Sequence, residues 1–160
     1  MRNLVYRNIE LDEIWGFAGK KRVRGLNDDP GLGDVWTFMA LDRETKIVPS
    51  FVVGKRDRYH ANVFMEDLAA RLRLGPQLSS DALAAYRDAV ERGFGAEVDY
   101  RQVVKTYAVV DLNRDAASRY SPAEVVSIDK SVVQGFPDLG QITTSHVEKQ
   151  NHTVRCMCGA

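Results

Sequence analysis

Apolar and acidic residues alternate with period two through Ile9-Glu10-Leu11-Asp12-Glu13-Ile14-Trp15, which predicts a strand. Ile9, Leu11 and Glu13 then share one face, and Glu10, Asp12 and Ile14 the other, so either face sets a carboxylate among hydrophobes. A half-buried carboxylate is costly unless it is paired, hydrogen-bonded or bound to a metal. A sheet-edge strand with solvated acids is the alternative. Val35–Leu41 and Ile47–Val53, rich in β-branched and aromatic residues, predict two further antiparallel strands joined by the polar loop Asp42–Lys46. The turn signal Asn27-Asp28-Asp29-Pro30-Gly31 closes the first hairpin. Pro49 lacks an N–H and places the third strand at a sheet edge or bulge.

From Tyr59 to Leu72 the period becomes helical, with Phe64, Leu68 and Leu72 on one stripe, and Gly75-Pro76 stops it. Gln77–Asp81 reads as a short extended segment. Leu83, Tyr86 and Val90 line a second helix, stopped at Gly93 and Gly95. Asp81 at its start is a favoured N-cap, a role that requires no chemistry. Val98–Val110 predicts another strand, and residues 111–140 read as a loop-rich segment around Pro122 and Pro137. His146–Arg155 predicts a last helix of about ten residues, short enough to depend on tertiary packing, in which Val147 and Val154 are the few apolar anchors. Fraying there would leave Glu148 poorly fixed. Ser145-His146-Val147-Glu148 also fits a capping box, with Glu148 reaching back to a backbone N–H.

The composition, 44% hydrophobic and 28% charged over 160 residues, fits one globular domain spanning 1–160. No apolar run reaches the length of a membrane span and the start lacks a signal-peptide core, so a cytoplasmic protein is expected. Lys plus Arg equals Asp plus Glu at 22 each, so an anionic partner would need a local basic patch. Gly16–Arg24 offers one in Lys20, Lys21, Arg22 and Arg24, without the G-x-x-x-x-G-K-[ST] spacing of a P-loop. A solvated hairpin is the alternative. Cys156 and Cys158 form a C-x-C on an expected frayed tail over 156–160, read as free thiols. His146, Glu148 and His152 do not make H-E-x-x-H, and the P-C-x-x-C of zinc deaminases is absent. His146 and His152 are expected as exposed helix residues or DNA contacts, and Trp15, Trp36 and Phe38 as core.

Three antiparallel strands, helix, short strand, helix, strand, loop and helix is the element order of a ribonuclease H-like α/β fold. Its mixed five-stranded sheet sets strand one beside the short fourth strand, and the last helix crosses near their ends. Asp12, Asp81 and Glu148 fall at those places. Leu11-Asp12-Glu13-Ile14-Trp15, Ser80-Asp81-Ala82-Leu83-Ala84-Ala85-Tyr86, Val98-Asp99-Tyr100-Arg101-Gln102-Val103-Val104-Lys105 and Ser145-His146-Val147-Glu148-Lys149-Gln150-Asn151 together resemble the DDE transposases of bacterial insertion sequences, in particular the insertion-sequence-one family. The resemblance runs from about Asn8 to Arg155. It implies a catalytic triad of Asp12, Asp81 and Glu148, with Glu13 the alternative first acid because alternation does not choose between neighbours.

The resemblance further implies DNA strand cleavage and strand transfer at element ends, with DNA as partner and a homo-oligomer or full-length transposase as possible company. Hard oxygen ligands suit Mg²⁺ or Mn²⁺, two ions about 3.5–4 Å apart serving an in-line displacement at phosphorus. Lys149 and Arg155 join the basic loop as candidate phosphate contacts. Family members commonly carry an N-terminal zinc-ribbon and helix-turn-helix region and continue the last helix through an Arg-rich segment. This chain begins almost at the catalytic strand and ends in Cys156-Met157-Cys158-Gly159-Ala160. A truncated chain is therefore expected, and the second functional reading is an inactive remnant that folds or associates with full-length transposase without catalysis.

Overall fold

The computed structural model describes residues 1–19, 33–107, 125–138, 140 and 143–158. Lys20, Lys21, Arg22 and Arg24, the turn at 27–31 and residues 108–124 lie outside the described residues. The chain order is β1 (Asn8–Ala18), β2 (Gly33–Asp42), β3 (Ser50–Gly54), α1 (Arg58–Arg71), β4 (Gln77–Ser80), α2 (Ala85–Phe94), β5 (Asp99–Tyr107), β6 (Val125–Gln134) and α3 (Ser145–Cys158). Among the described residues six strands form one mixed sheet in the order β3-β2-β1-β4-β5-β6. β1 pairs antiparallel with β2 and parallel with β4; β4 pairs parallel with β5, and β5 antiparallel with β6. The fold is α/β with a six-stranded sheet, not the expected five.

The additional strand, β6, falls inside the segment expected to be loop-rich. Its first six residues are all exposed, so burial leaves no period-two signal in them, and its pairing with β5 is what makes it a strand. β3 is an edge strand, as Pro49 requires, but begins only at Ser50, after the proline. Asp42 is not a loop acid. It ends β2, buried, and its Oδ2 accepts from the Thr45 amide and hydroxyl, both at 2.7 Å, fixing the turn toward β3.

Both faces of the sheet are covered at β1, which explains why its pattern never settles into apolar-in, polar-out. Ile9 and Leu11 point to a core filled by Phe38 and Ala40 of β2, Ala61, Phe64, Met65 and Leu68 of α1, and Tyr86, Ala89 and Val90 of α2. Phe38, Phe64 and Tyr86 interlock there with ring centroids 5.8–6.4 Å apart. Burying each such side chain contributes roughly 1.5–3 kcal/mol. Asp57 starts α1 by accepting from the His60 amide at 2.9 Å. Gly75 stands so close to the next connection that a Cβ would lie 1.4 Å from the Glu97 carbonyl oxygen. The opposite face of β1 belongs to α3, which buries Val147 and Asn151. Among the described residues no helix is long and apolar enough to cross a membrane.

Candidate metal centre

β4 is four residues long, between an eleven-residue β1 and a nine-residue β5. Its last pairings are Ser80 with Leu11 and Ser80 with Gln102. Beyond Ser80 the two longer strands run on without it, leaving a notch at the carboxyl ends of three parallel strands, where open α/β sheets usually bind ligands. A cleft of about 330 Å³ opens there, lined by Asp12 of β1, Asp81 and Ala82, Val103, Val104 and Lys105 of β5, and Thr144 and Glu148 at α3. The three acids singled out by the sequence therefore share one cavity.

Asp81 is not the N-cap of α2. That helix starts at Ala85 without a side-chain cap. Asp81 Oδ1 instead accepts from the Leu83 amide at 3.0 Å, turning the chain off β4, and Oδ2 faces Arg56 at 3.5 Å. Because Asp81 follows the end of its strand, it can meet side chains from both sheet faces. Asp12 and Glu13 point to opposite faces, yet one carboxylate oxygen from each of Asp12, Glu13 and Asp81 lies within 4.8 Å of the others.

The neighbouring acids separate by surroundings. Asp12 lines the cleft, accepts a 2.7 Å hydrogen bond from Asn151 Nδ2 and is raised to about 6, first by burial and then by the charges of Asp81 and Glu148. Glu13 turns under the sheet toward Tyr86 and Arg56. Burial, then Asp81, raises it to about 7, against the lowering effect of Tyr86 and Arg56. Arg56 holds it through Nε at 3.1 Å and Nη2 at 3.0 Å while lying 4.9 Å over the Trp36 ring. Glu13 Oε1 has no hydrogen-bond partner of good geometry.

Glu148 is not in a capping box either. Its Oε1 accepts from the Thr144 hydroxyl at 2.5 Å and from the Lys105 ammonium. The helix-start amides go to Glu10, a buried acid on the Asp12 face of β1. Glu10 Oε2 accepts from the backbone N–H groups of His146 and Val147, both at 2.9 Å, and Oε1 faces His146 Nδ1 at 2.7 Å. His146 is thus an anchor of α3 and not a free surface contact, while His152 is exposed. α3 is pinned to β1 twice, by Glu10 at its first turn and through Asn151 to Asp12 just over one turn on. It runs fourteen residues to Cys158, past the expected end at Arg155. The helix takes in 156–158 of the tail expected to be frayed, and Cys156 sits in it as an exposed free thiol.

Lys149 and Arg155 are exposed on α3. Phe38 is core, and Trp36 is partly buried against it. Glu10, Asn151, Thr144, Arg56 and Lys105 were not singled out by sequence reasoning. Two had a readable signal: Glu10 is two residues from Asp12 on the same strand face, and Asn151 three from Glu148 on the same helix face. Protein-family models and curated proteins, compared with this chain, yield no match.

The donor set fits a hard divalent cation. Mg²⁺ binds oxygens at 2.0–2.1 Å, so ligands on opposite sides stand ~4.2 Å apart. The oxygens of Asp12, Glu13 and Asp81, within 4.8 Å of one another, need shift by less than an ångström to enclose one; Glu148 lines the same cleft outside that trio. Burial has already raised Asp12 and Glu13, and a cation among them would relieve the repulsion.

Proposed function

We propose that this cleft is the catalytic centre of a divalent-cation-dependent phosphoryl transferase acting on DNA, a DDE-type transposase domain on a ribonuclease H-like sheet. The observation that carries the reading is the convergence of Asp12, Asp81 and Glu148, from three distant parts of the chain, on one cleft at the end of β4. The order β3-β2-β1-β4-β5, with its antiparallel first three strands and parallel β1-β4-β5 core, supports the fold assignment, β6 being an addition.

Asp12, Asp81 and Glu148 would hold Mg²⁺ or Mn²⁺, which when bound lowers the pKa of an attacking water or DNA 3′-hydroxyl and stabilises the leaving oxygen. The rest is the work of the chain. Asn151 aims Asp12, Thr144 aims Glu148, and Glu10 sets the height of α3 over β1, so the acids are oriented before substrate arrives. Glu13 lies under them and fixes Arg56 beside Asp81. DNA is the proposed partner, with Lys149 and Arg155 on the outer side of α3 available to its backbone. Assembly into a homo-oligomer is part of the proposal, since two element ends must be joined.

The test is titration of the purified chain with Mn²⁺ by calorimetry, together with nicking and strand transfer on duplex DNA. Binding and turnover should both be lost in Asp12→Asn and Asp81→Asn. Absence of binding by the wild type, or binding unchanged in both variants, would overturn the reading.

A further inference from the structure

Two organic cations already stand against the acids, and they are held differently. Arg56 is fixed by two contacts to buried Glu13 and by the Trp36 ring, and reaches Asp81 only at 3.5 Å. Lys105 sits on the far wall of the notch, on the stretch of β5 that outruns β4, with Val103 and Val104 beside it in the cleft lining. Among the described residues its one ion-pair partner is Glu148, and its side chain is 24% exposed. A lysine with a single partner that is itself a metal-ligand candidate loses that partner's charge once Glu148 is neutralised by a cation. Its ammonium then lies at the mouth of a cleft that would take a phosphodiester.

Resting on the transposase reading above, we propose that Lys105 is a DNA-phosphate contact held in reserve by Glu148: paired in the metal-free chain, released when Glu148 takes a divalent cation. Metal and DNA binding are then linked, each strengthening the other by the same factor. The ammonium both competes with the cation for Glu148 and serves the DNA. Its removal should therefore move the two affinities in opposite directions, whereas a merely structural lysine would lower both.

The test uses the full chain, Mn²⁺ titrated by calorimetry, and a fluorescently labelled duplex titrated in EDTA and in Ca²⁺ over a range of salt. Lys105→Gln should bind Mn²⁺ more tightly, by up to about fivefold for a partly exposed pair. Its DNA affinity in Ca²⁺ should fall, with the slope of log K against log salt reduced by about 0.9, one duplex phosphate contact. In EDTA the variant and the wild type should differ little. Lys105→Arg should restore the slope in Ca²⁺. An unchanged slope in Lys105→Gln, or weakened binding of both Mn²⁺ and DNA, would overturn the proposal while leaving the metal centre standing. A wild type that binds no Mn²⁺ would instead remove the reading on which it rests.

Discussion

Glu10→Ala should strip the start of α3 of three contacts at once: the His146 and Val147 amides and the His146 ring. Hydrogen bonds to a charged acceptor contribute roughly 1.5–3 kcal/mol each, but contacts sharing one side chain do not simply add. Leaving two amides without an acceptor, at about 1–3 kcal/mol each and so roughly 2–6 kcal/mol together, is the closer guide, since Glu10 is only 2% exposed. Against a typical total of about 5–15 kcal/mol that is a large share. At about 2–4 °C per kcal/mol for a chain of this size, the melting temperature should fall by roughly 10 °C in differential scanning calorimetry. Glu10→Gln keeps an acceptor oxygen of the same shape and should lose about 1–2 kcal/mol. Because α3 carries Glu148 and Asn151, both variants should also bind Mn²⁺ more weakly at temperatures where they remain folded. A Glu10→Ala protein melting within ~2 °C of wild type would refute the claim that Glu10 holds the helix.

Removal of the amide in Asn151→Ala takes from Asp12 its 2.7 Å donor while leaving α3 a good helix, so Mn²⁺ affinity should drop roughly 10–100-fold with unchanged far-ultraviolet circular dichroism. Undiminished affinity would show that Asp12 needs no orienting. Asp12 and Glu13, raised to about 6 and 7 from ordinary values of 3.8 and 4.5, bind protons more tightly in the folded chain. Their stabilising contribution is therefore full below the ordinary values and is lost as pH rises through 6 to 7. A bound cation offsets that loss, so the gain in melting temperature on adding Mn²⁺ should be small near about pH 5 and grow toward about pH 8. Glu13→Gln should remove part of the metal-free loss, and a Mn²⁺ gain independent of pH would contradict the assignment.

Much of the secondary structure was legible because periodicity is a local record of burial. The alternation at Ile9–Trp15, the β-branched run of β2, the stripe of Phe64 and Leu68, and the break at Gly75-Pro76 each report how one segment meets water or core. β6 escaped that reading because six successive exposed residues carry no such record, and only pairing with β5 makes them a strand. The site was legible as a set of acids but not as a geometry. Alternation could not choose between Asp12 and Glu13. Where β4 stops and which sheet face α3 covers set Asp12 in the cleft with Glu148 and Glu13 against Arg56, facts held by neighbours far along the chain. Likewise the local rules offered Asp81 as a helix cap and Glu148 as half of a capping box, whereas Asp81 takes the Leu83 amide and faces Arg56, and Glu148 takes Thr144 and Lys105. Glu10 takes the helix amides across 136 and 137 residues of sequence, and Lys105 reaches Glu148 across 43. A carboxylate spends its few acceptor sites on whatever donors the fold brings closest, and only the assembled sheet and helices decide which those are.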